Sequence, residues 1–179
     1  MIDRLAVRPY PKEWERTAVF GEGRAIFIRP IRRGDESLLK CFLIKVSQQD
    51  LRLRFFATIK EFSNEFIAHL TQLDYAKAMA FIAIDNQSGE ILGVVRLYID
   101  DKCEAAEYAV LVRSDLKGLG LGWKLMELII TYARSEGLKR LEGEVLADNT
   151  LMLEMCRELG FKIEPAPKDP TICLVKLSL

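Results

Sequence analysis

A glycine-rich loop between an apolar, strand-like segment and an amphipathic helix is the first feature of this chain that could do chemistry. Residues 107–112 read EYAVLV, and residues 117–122 read KGLGLG. The helix is predicted from apolar residues at helical spacing, namely Leu125, Leu128, Ile129, Tyr132 and Ala133. Because glycine has no Cβ, backbone N–H groups in such a loop can turn toward an anion, and the helix start adds unpaired donors. The sequence therefore predicts a binding site for a phosphate-bearing ligand.

Two common nucleotide-binding loops do not fit these residues. The dinucleotide pattern GxGxxG requires a third glycine, but Trp123 stands there if the pattern starts at Gly118, and Leu125 if it starts at Gly120. The Walker pattern, GxxxxGK followed by Ser or Thr, is absent from the sequence. A dinucleotide loop also follows the first strand of a parallel unit, whereas this strand closes a predicted antiparallel meander. These observations exclude dinucleotide and P-loop nucleotide ligands.

Length and composition are those of an ordinary single-domain protein. Half of the 179 residues are hydrophobic, and 26 Lys plus Arg balance 26 Asp plus Glu, so nothing favours nucleic-acid binding. No apolar run is long enough to span a membrane and no signal peptide is evident, so we expect a cytoplasmic protein without a membrane partner. Four scattered cysteines and the single His69 form no metal-ligand pattern. We therefore predict no metal site and no catalytic histidine.

Periodicity predicts one α/β domain, residues 24–179, behind an irregular N-terminal arm, residues 1–23, that Trp14 and Phe20 pin in place. One strand, three helices and a three-stranded meander come first; after the glycine loop come a helix, a strand, a helix and a final hairpin. This order predicts a central mixed, mostly antiparallel sheet of about seven strands flanked by helices. The strands are expected at residues 24–30, 78–85, 90–99, 104–112, 138–147, 161–164 and 171–179.

The glycine loop resembles the coenzyme A loop of the GNAT superfamily of N-acetyltransferases. In that loop Arg or Gln is followed by two residues, a Gly, one residue, and Gly or Ala. The matching residues here are Lys117, Gly118, Leu119, Gly120, Leu121 and Gly122, with lysine as the one departure. The first position holds the loop and meets phosphate in the family, so lysine is expected to serve. The resemblance implies a GNAT fold, a splay between the fourth and fifth strands, and acetyl-CoA as co-substrate.

Longer segments are similar to the acetyltransferase domain of bacterial Pat-type protein lysine acetyltransferases. They are RPYPKEW (8–14), IRPIRRGDESLL (28–39), DLRLRFF (50–56), LTQLDY (70–75), EYAVLVRSD (107–115) and GEVLADN (143–149). The similarity implies a protein lysine as acceptor, with acyl-CoA synthetases as targets. Pat-type enzymes often carry a ligase-like region before this domain, so the chain is either a cut-out domain or a short relative. A small-molecule amine acetyltransferase and a non-catalytic acyl-CoA-sensing domain stay open as alternatives.

Acetyl transfer to lysine needs a base, because a lysine side chain with a pKa of about 10.4 is protonated at neutral pH. Glu107 is the first candidate: it shares a strand face with Ala109 and Leu111, and Pat-type enzymes have an acidic base on this strand. Glu144 is the companion candidate, near where the neighbouring strand would splay away around the cofactor. Both glutamates could instead be solvated at strand ends. For the oxyanion, the resemblance implies backbone N–H groups at Val110, Leu111 and Val112.

Cys156, Asn149 and the pair Arg52 and Arg54 each have two interpretations. Cys156 stands where many family members have a proton-donating tyrosine, seven residues after the asparagine, but a thiol is more often a buried apolar group. Without that donor, the thiolate leaves unaided or takes a proton from water. Asn149 is a helix N-cap and a candidate partner of the pantetheine arm. The two arginines either serve the acceptor side or a partner's acidic patch, or form the solvated face of a helix that buries Leu53, Phe55 and Phe56.

Overall fold

The computed structural model describes residues 7–179, and within them the chain forms eight strands and five α-helices. The strands are β1 (Arg16–Phe20), β2 (Arg24–Pro30), β3 (Ala78–Asp85), β4 (Ile91–Ile99), β5 (Ala105–Val112), β6 (Arg140–Leu146), β7 (Lys162–Ala166) and β8 (Asp169–Ser178). The helices are α1 (Glu36–Ile44), α2 (Gln48–Phe55), α3 (Asn64–Thr71), α4 (Leu121–Ser135) and α5 (Thr150–Glu158).

All eight strands form one sheet in the order β1-β2-β3-β4-β5-β6-β8-β7, and only the β5–β6 pair is parallel. Because side chains alternate along a strand, each face of the sheet has its own core. Phe81 and Leu97 pack with α4 and α5 on one face, and Ile82 and Val94 pack with α1 and α3 on the other. The predicted mixed, mostly antiparallel sheet is confirmed.

The strand that raises the count from about seven to eight is β1, in a region predicted to be irregular. Residues 16–20 pair with β2 as an antiparallel hairpin, whose turn contains Gly21. Trp14 and Phe20 do pin this segment, since the Trp14 ring lies 5.1 Å from that of Tyr132 and Phe20 is buried. The rest of the predicted arm, residues 1–6, lies outside the described residues.

The parallel strands β5 and β6 separate after a short pairing. Their register covers only Ala105 with Arg140, Ala106 with Leu141, and Glu107 with Glu142. At the next position the Tyr108 ring lies against Gly143, where a Cβ atom would be 2.7 Å from Tyr108 Cε1. Since real Cβ contacts are not that short, only glycine at 143 accommodates this ring. The splay therefore falls between the same two strands that the sequence predicted. They are the fifth and sixth strands of the structure because β1 adds one to the count.

Asp35 stands at the N-cap position of α1, where an aspartate side chain usually accepts from the free N–H groups of the first turn. Its side chain accepts no hydrogen bond from the helix backbone. Its carboxylate oxygens instead accept from Arg29 Nη1 and Nη2 at 2.8 and 2.7 Å, and both residues are buried. Charge-assisted bidentate hydrogen bonds are stronger than neutral ones. Tertiary pairing has therefore overridden the local capping preference.

Candidate active site

A cavity of about 720 Å³ opens where β5 and β6 part. Its volume lies within the range usual for small-molecule sites. Ten of the thirteen residues predicted from the sequence line it: Glu107, Val110, Leu111, Val112, Lys117, Gly118, Gly120, Gly122, Glu144 and Asn149. Leu119, Leu121 and Cys156 do not line it. Residues missed at the sequence level include Tyr98, Tyr108, Trp123 and Met155.

The glycine loop has the open backbone that its sequence predicts. Gly118 and Gly120 have φ of 79° and 88°, and a Cβ at either position would meet no atom within 4 Å. Gly120 is the N-cap of α4, and the first turn of that helix contains neither a capping side chain nor an acidic residue. Its N–H groups and the positive end of the helix dipole are therefore free to bind an anion. We call this part of the cavity the loop side, and define it as residues 117–122 together with Val110 and Val112.

Two loop residues outside the cavity lining support the loop instead. The Leu119 carbonyl accepts a hydrogen bond of 3.1 Å from the Gly21 N–H, so the β1–β2 hairpin holds the loop from behind. Leu121 is buried in the core beneath the start of α4. Leu121 can therefore offer a ligand only its backbone, whereas the Leu119 side chain is exposed.

Lys117 is tied to a residue of α2. Its Nζ lies 2.6 Å from Asp50 Oδ1, while the Ser114 hydroxyl donates to Asp50 Oδ2 at 2.6 Å. Burial alone would raise the pKa of Asp50, but the Lys117 and Ser114 hydrogen bonds outweigh it and the pKa is lowered. The predicted role of Lys117 in holding the loop has a physical basis here. A contact with phosphate stays a prediction.

Backbone amides of β5 point into the cleft at alternate residues. The Arg113 N–H bonds Leu92 in β4, and the Glu104 carbonyl accepts from Arg140 at the start of β6. Because the backbone groups of successive strand residues point to opposite edges, odd-numbered residues of β5 face β4 and even-numbered ones face β6. Val110 and Val112 therefore direct their N–H groups toward the cleft, whereas Leu111 directs its own to β4.

Glu107 and Glu144 lie on the same face of the sheet, on either side of the splay. Glu107 is the last β5 residue paired with β6, opposite Glu142, and Glu144 follows two residues later in β6. Both side chains are exposed and both line the cavity. Neither carboxylate makes a hydrogen bond or ion pair with any residue among 7–179. Both are sterically free to accept a proton.

The α5 residues resolve the two interpretations of Cys156. This residue is fully buried, and its Sγ lies 3.2 Å from the Tyr108 hydroxyl. Burial raises the pKa of the Cys156 thiol, and burial with the nearby thiol raises that of Tyr108 well above its usual value. The structure thus favours the packing role of Cys156 and gives it no contact with the cavity. Asn149 caps α5, as predicted, by accepting from the Met152 N–H at 3.3 Å.

The other side of the cavity is built by α2. Its most buried residues are Asp50 and Leu51 rather than the predicted Leu53, Phe55 and Phe56, and Phe56 is exposed at the helix end with φ of 59°. Arg52 is not among the cavity-lining residues and pairs with Asp148 at 2.8 Å. Arg54 lines the cavity. We call this part of the cavity the α2 side, and define it as Arg54, Phe55, Phe56, Tyr98 and Glu107.

The sequence also predicts no catalytic histidine, no metal site and no membrane span. His69 is exposed on α3 and is not among the cavity-lining residues. Within the described residues, no cluster of three or more His, Cys, Asp or Glu side chains could hold a metal ion. None of the helices found between residues 7 and 179 is long and apolar enough to cross a bilayer.

Known proteins identify the family. Residues 46–161 match the model of the acetyltransferase (GNAT) family. Acetyltransferase PA5475 of Pseudomonas aeruginosa is 32% identical over 160 residues, which cover 88% of this chain and 86% of that protein. The chain belongs to the GNAT acetyltransferase family.

Solved structures agree with this assignment to the GNAT family. The GNAT domain of S. lividans PAT superposes with a TM-score of 0.87 at 27% identity, over 96% of this chain and all of that domain. RimL, a ribosomal L7/L12 alpha-N-protein acetyltransferase solved in complex with coenzyme A, superposes with a TM-score of 0.70 at 16% identity. This superposition covers 86% of this chain and 94% of the RimL chain.

GNAT acetyltransferases use acetyl-CoA as co-substrate, and the loop side fits that molecule. The open glycines and the uncapped start of α4 would hold the pyrophosphate. The N–H groups of Val110 and Val112 would meet the amide-containing arm and the thioester, since they point into the cleft without a strand partner. This GNAT chain therefore transfers an acyl group from coenzyme A to an acceptor.

Proposed function

We propose that this GNAT chain transfers the acetyl group of acetyl-CoA to a lysine side chain of a protein, with Glu107 as the general base. The proposal rests on one observation: an exposed, unpaired carboxylate at residue 107 shares the cavity with the inward-pointing N–H groups of Val110 and Val112. The similarity to the S. lividans PAT domain supports the choice of acceptor class. Acyl-CoA synthetases are the target proteins to test first, as the Pat-type resemblance implies.

The mechanism follows from the order of these groups along β5. Glu107 takes a proton from the lysine ammonium directly or through one water, which leaves a neutral amine to attack the thioester carbonyl. The N–H groups of Val110 and Val112 donate to the oxyanion of the tetrahedral intermediate. Cys156 is shielded from the cavity, so the thiolate leaves unaided or is protonated by water. Glu144 lines the same cavity and is therefore the second candidate base.

Thiol release from acetyl-CoA in the presence of a lysine acceptor tests the role of Glu107. Glu107→Gln should lower kcat by about 100- to 10,000-fold, the usual contribution of a general base, with little change in acetyl-CoA affinity. Glu144→Gln is the matched control and should lose less than Glu107→Gln. If both variants turn over like wild type, the base assignment is wrong. If Glu144→Gln alone is inactive, the base is Glu144.

Incubation with acetyl-CoA and a bacterial acyl-CoA synthetase, followed by mass mapping of acetyl-lysine, tests the acceptor. Modification of one lysine at a rate proportional to enzyme concentration would support the proposal. Turnover of small amines without protein modification would favour a small-molecule acetyltransferase. Tight binding of acetyl-CoA with no acceptor of either kind would favour a sensing domain.

A further inference from the structure

Arg54 on the α2 side lies beside Arg96 of β4, and neither arginine has an acidic partner among residues 7–179. Arg96 is only 4% exposed, and its Nη1 donates to the Leu70 carbonyl and to the Tyr98 hydroxyl, both at 3.2 Å. Arg54 is half-buried, with its Cζ 4.6 Å from the centre of the Phe55 ring. Among residues 7–179, Arg54 makes no hydrogen bond or ion pair. The cavity thus contains a guanidinium whose five N–H donors are unused.

The unpaired charge of Arg54 destabilises the folded protein when no ligand is bound. Burial, and then the charge of Arg96, lower the pKa of Arg54 to about 10, while Tyr98 and Glu107 counteract them. A desolvated charge without a partner opposes folding, so buried arginines are normally paired. Arg29 follows that rule, because both of its terminal nitrogens bond Asp35. Arg54 differs from Arg29 in facing a cavity that a ligand can enter.

The position of Arg54 favours an anion other than the phosphates expected on the loop side, although both regions line one cavity. Arg54 shares a smaller cleft with Arg96, Ala109 and Leu111, on the sheet face that also contains Glu107. The glycine loop begins beyond the end of β5, and Ala109 alone is roughly 10 Å from Val112 along the strand. The anion that meets Arg54 therefore approaches from the side where the acceptor amine must reach Glu107.

We propose that Arg54 is an acceptor-recognition residue that binds a carboxylate of the molecule being acetylated. The inference rests on the proposed N-acetyltransferase function and narrows its substrate class. An acceptor with an amine and a carboxylate would direct the amine to Glu107 and the carboxylate to Arg54. Phe55, Phe56 and Tyr98 would enclose the apolar part between them. The carboxylate belongs either to a free amino acid or to an acidic residue next to the target lysine.

Two matched pairs of acceptors distinguish these sources. The first is L-phenylalanine and L-phenylalaninamide, and the second is a pair of blocked peptides, Gly-Lys-Asp and Gly-Lys-Asn. Wild type should prefer the carboxylate member of one pair, and Arg54→Met should lower kcat/KM for that member by about 10- to 100-fold, as expected for lost charge-assisted hydrogen bonds. For the amide member, the same substitution should change kcat/KM by less than about twofold, as expected for a substrate that does not use Arg54.

Arg52→Met is the control, because it removes the same side chain from the same helix at a position outside the cavity lining. It should leave the carboxylate preference intact. Arg54→Lys should restore part of the preference lost in Arg54→Met, since it returns the charge but not the fork of donors. Arg54→Met should also unfold at a temperature no lower than wild type, because it removes an unpaired charge. Equal losses on both members of a pair, with a lower unfolding temperature, would mean a structural role and overturn the proposal.

A binding measurement separates this inference from the proposed function. N-acetyl-L-phenylalanine, N-acetyl-L-phenylalaninamide and the blocked peptides are titrated calorimetrically into protein saturated with coenzyme A. If no amine is acetylated but a carboxylate probe still binds in an Arg54-dependent manner, the proposed function fails and the carboxylate site stands. If amines are acetylated while wild type and Arg54→Met treat carboxylates and amides alike, the function stands and the site is refuted. If both measurements show no Arg54 dependence, the site is also refuted.

Discussion

The loop side and the α2 side of the cavity are built from different chemical groups. The loop side offers backbone N–H groups from glycines, the start of α4 and the open edge of β5. The α2 side offers side chains, of which Arg54, Phe55, Tyr98 and Glu107 come from three separate elements. Backbone groups recognise what all coenzyme A thioesters share, whereas side chains can differ between relatives. We therefore expect the loop side to recognise the donor and the α2 side to determine the choice of acceptor.

Among the substitutions that compare the two sides, Gly120→Trp should produce the largest effect, and only on the loop side. A side chain at φ of 88° strains the backbone, and an indole would fill the space that the phosphates need. Loss of two charge-assisted contacts corresponds to about 100-fold or more in the acetyl-CoA dissociation constant, which calorimetry would measure. Gly137→Trp is the matched control: it also has positive φ and open surroundings but lies at the other end of α4. Equal affinity loss in both variants would contradict a specific phosphate cradle.

The loop side could be predicted from sequence because the residues that form it are close together in the chain. The three glycines, the strand before them and the helix after them fall within residues 105–135, and local backbone preference decides their conformation. The partner of Lys117 could not be predicted in this way, since Asp50 lies 67 positions away. Nor could the burial of Cys156 against Tyr108, which depends on a contact across 48 positions.

The α2 side was predictable only in part. Alternation along β5 identified Glu107. Of Leu53, Phe55 and Phe56, which one interpretation placed inward, Phe55 packs against the core and Phe56 is exposed, while the most buried face of α2 contains Asp50 and Leu51. That face is decided by Asp50, which is drawn inward by Lys117 and Ser114. The two arginines of this helix look equivalent in sequence and differ in the fold, because within residues 7–179 only Arg52 has an acidic partner.

Asp50→Asn tests whether the two sides are independent, because Asp50 joins α2 to the loop. Its pKa is lowered in the folded protein, so its stabilising effect is present above the unfolded-state pKa of about 3.9 and is lost as pH falls through the lower folded-state pKa. We expect the variant to lose about 1–2 kcal/mol in the free energy of unfolding at pH 7, with the difference shrinking toward pH 2. Urea unfolding across this pH range would measure it.

The same variant should affect both substrates. If Asp50 couples the sides, the KM values for acetyl-CoA and for the acceptor should each rise by about tenfold, the change that 1.4 kcal/mol produces. A rise confined to acetyl-CoA would mean that the loop depends on Lys117 being held while α2 does not. That result would sharpen the separation between donor and acceptor recognition.

Arg52→Met should have the smallest effect, although Arg52 lies on the same helix and carries the same charge as Arg54. Its ion pair with Asp148 joins two exposed side chains, 36% and 62% accessible, and such pairs contribute at most about 1 kcal/mol. Unfolding measurements should show a loss of that size that disappears as salt is added, because exposed pairs are screened. Turnover should stay within about twofold of wild type, the range of surface substitutions. A large loss of turnover that salt does not reproduce would place Arg52 in the acceptor site, and the α2 side would then extend across the mouth of the cavity to α5.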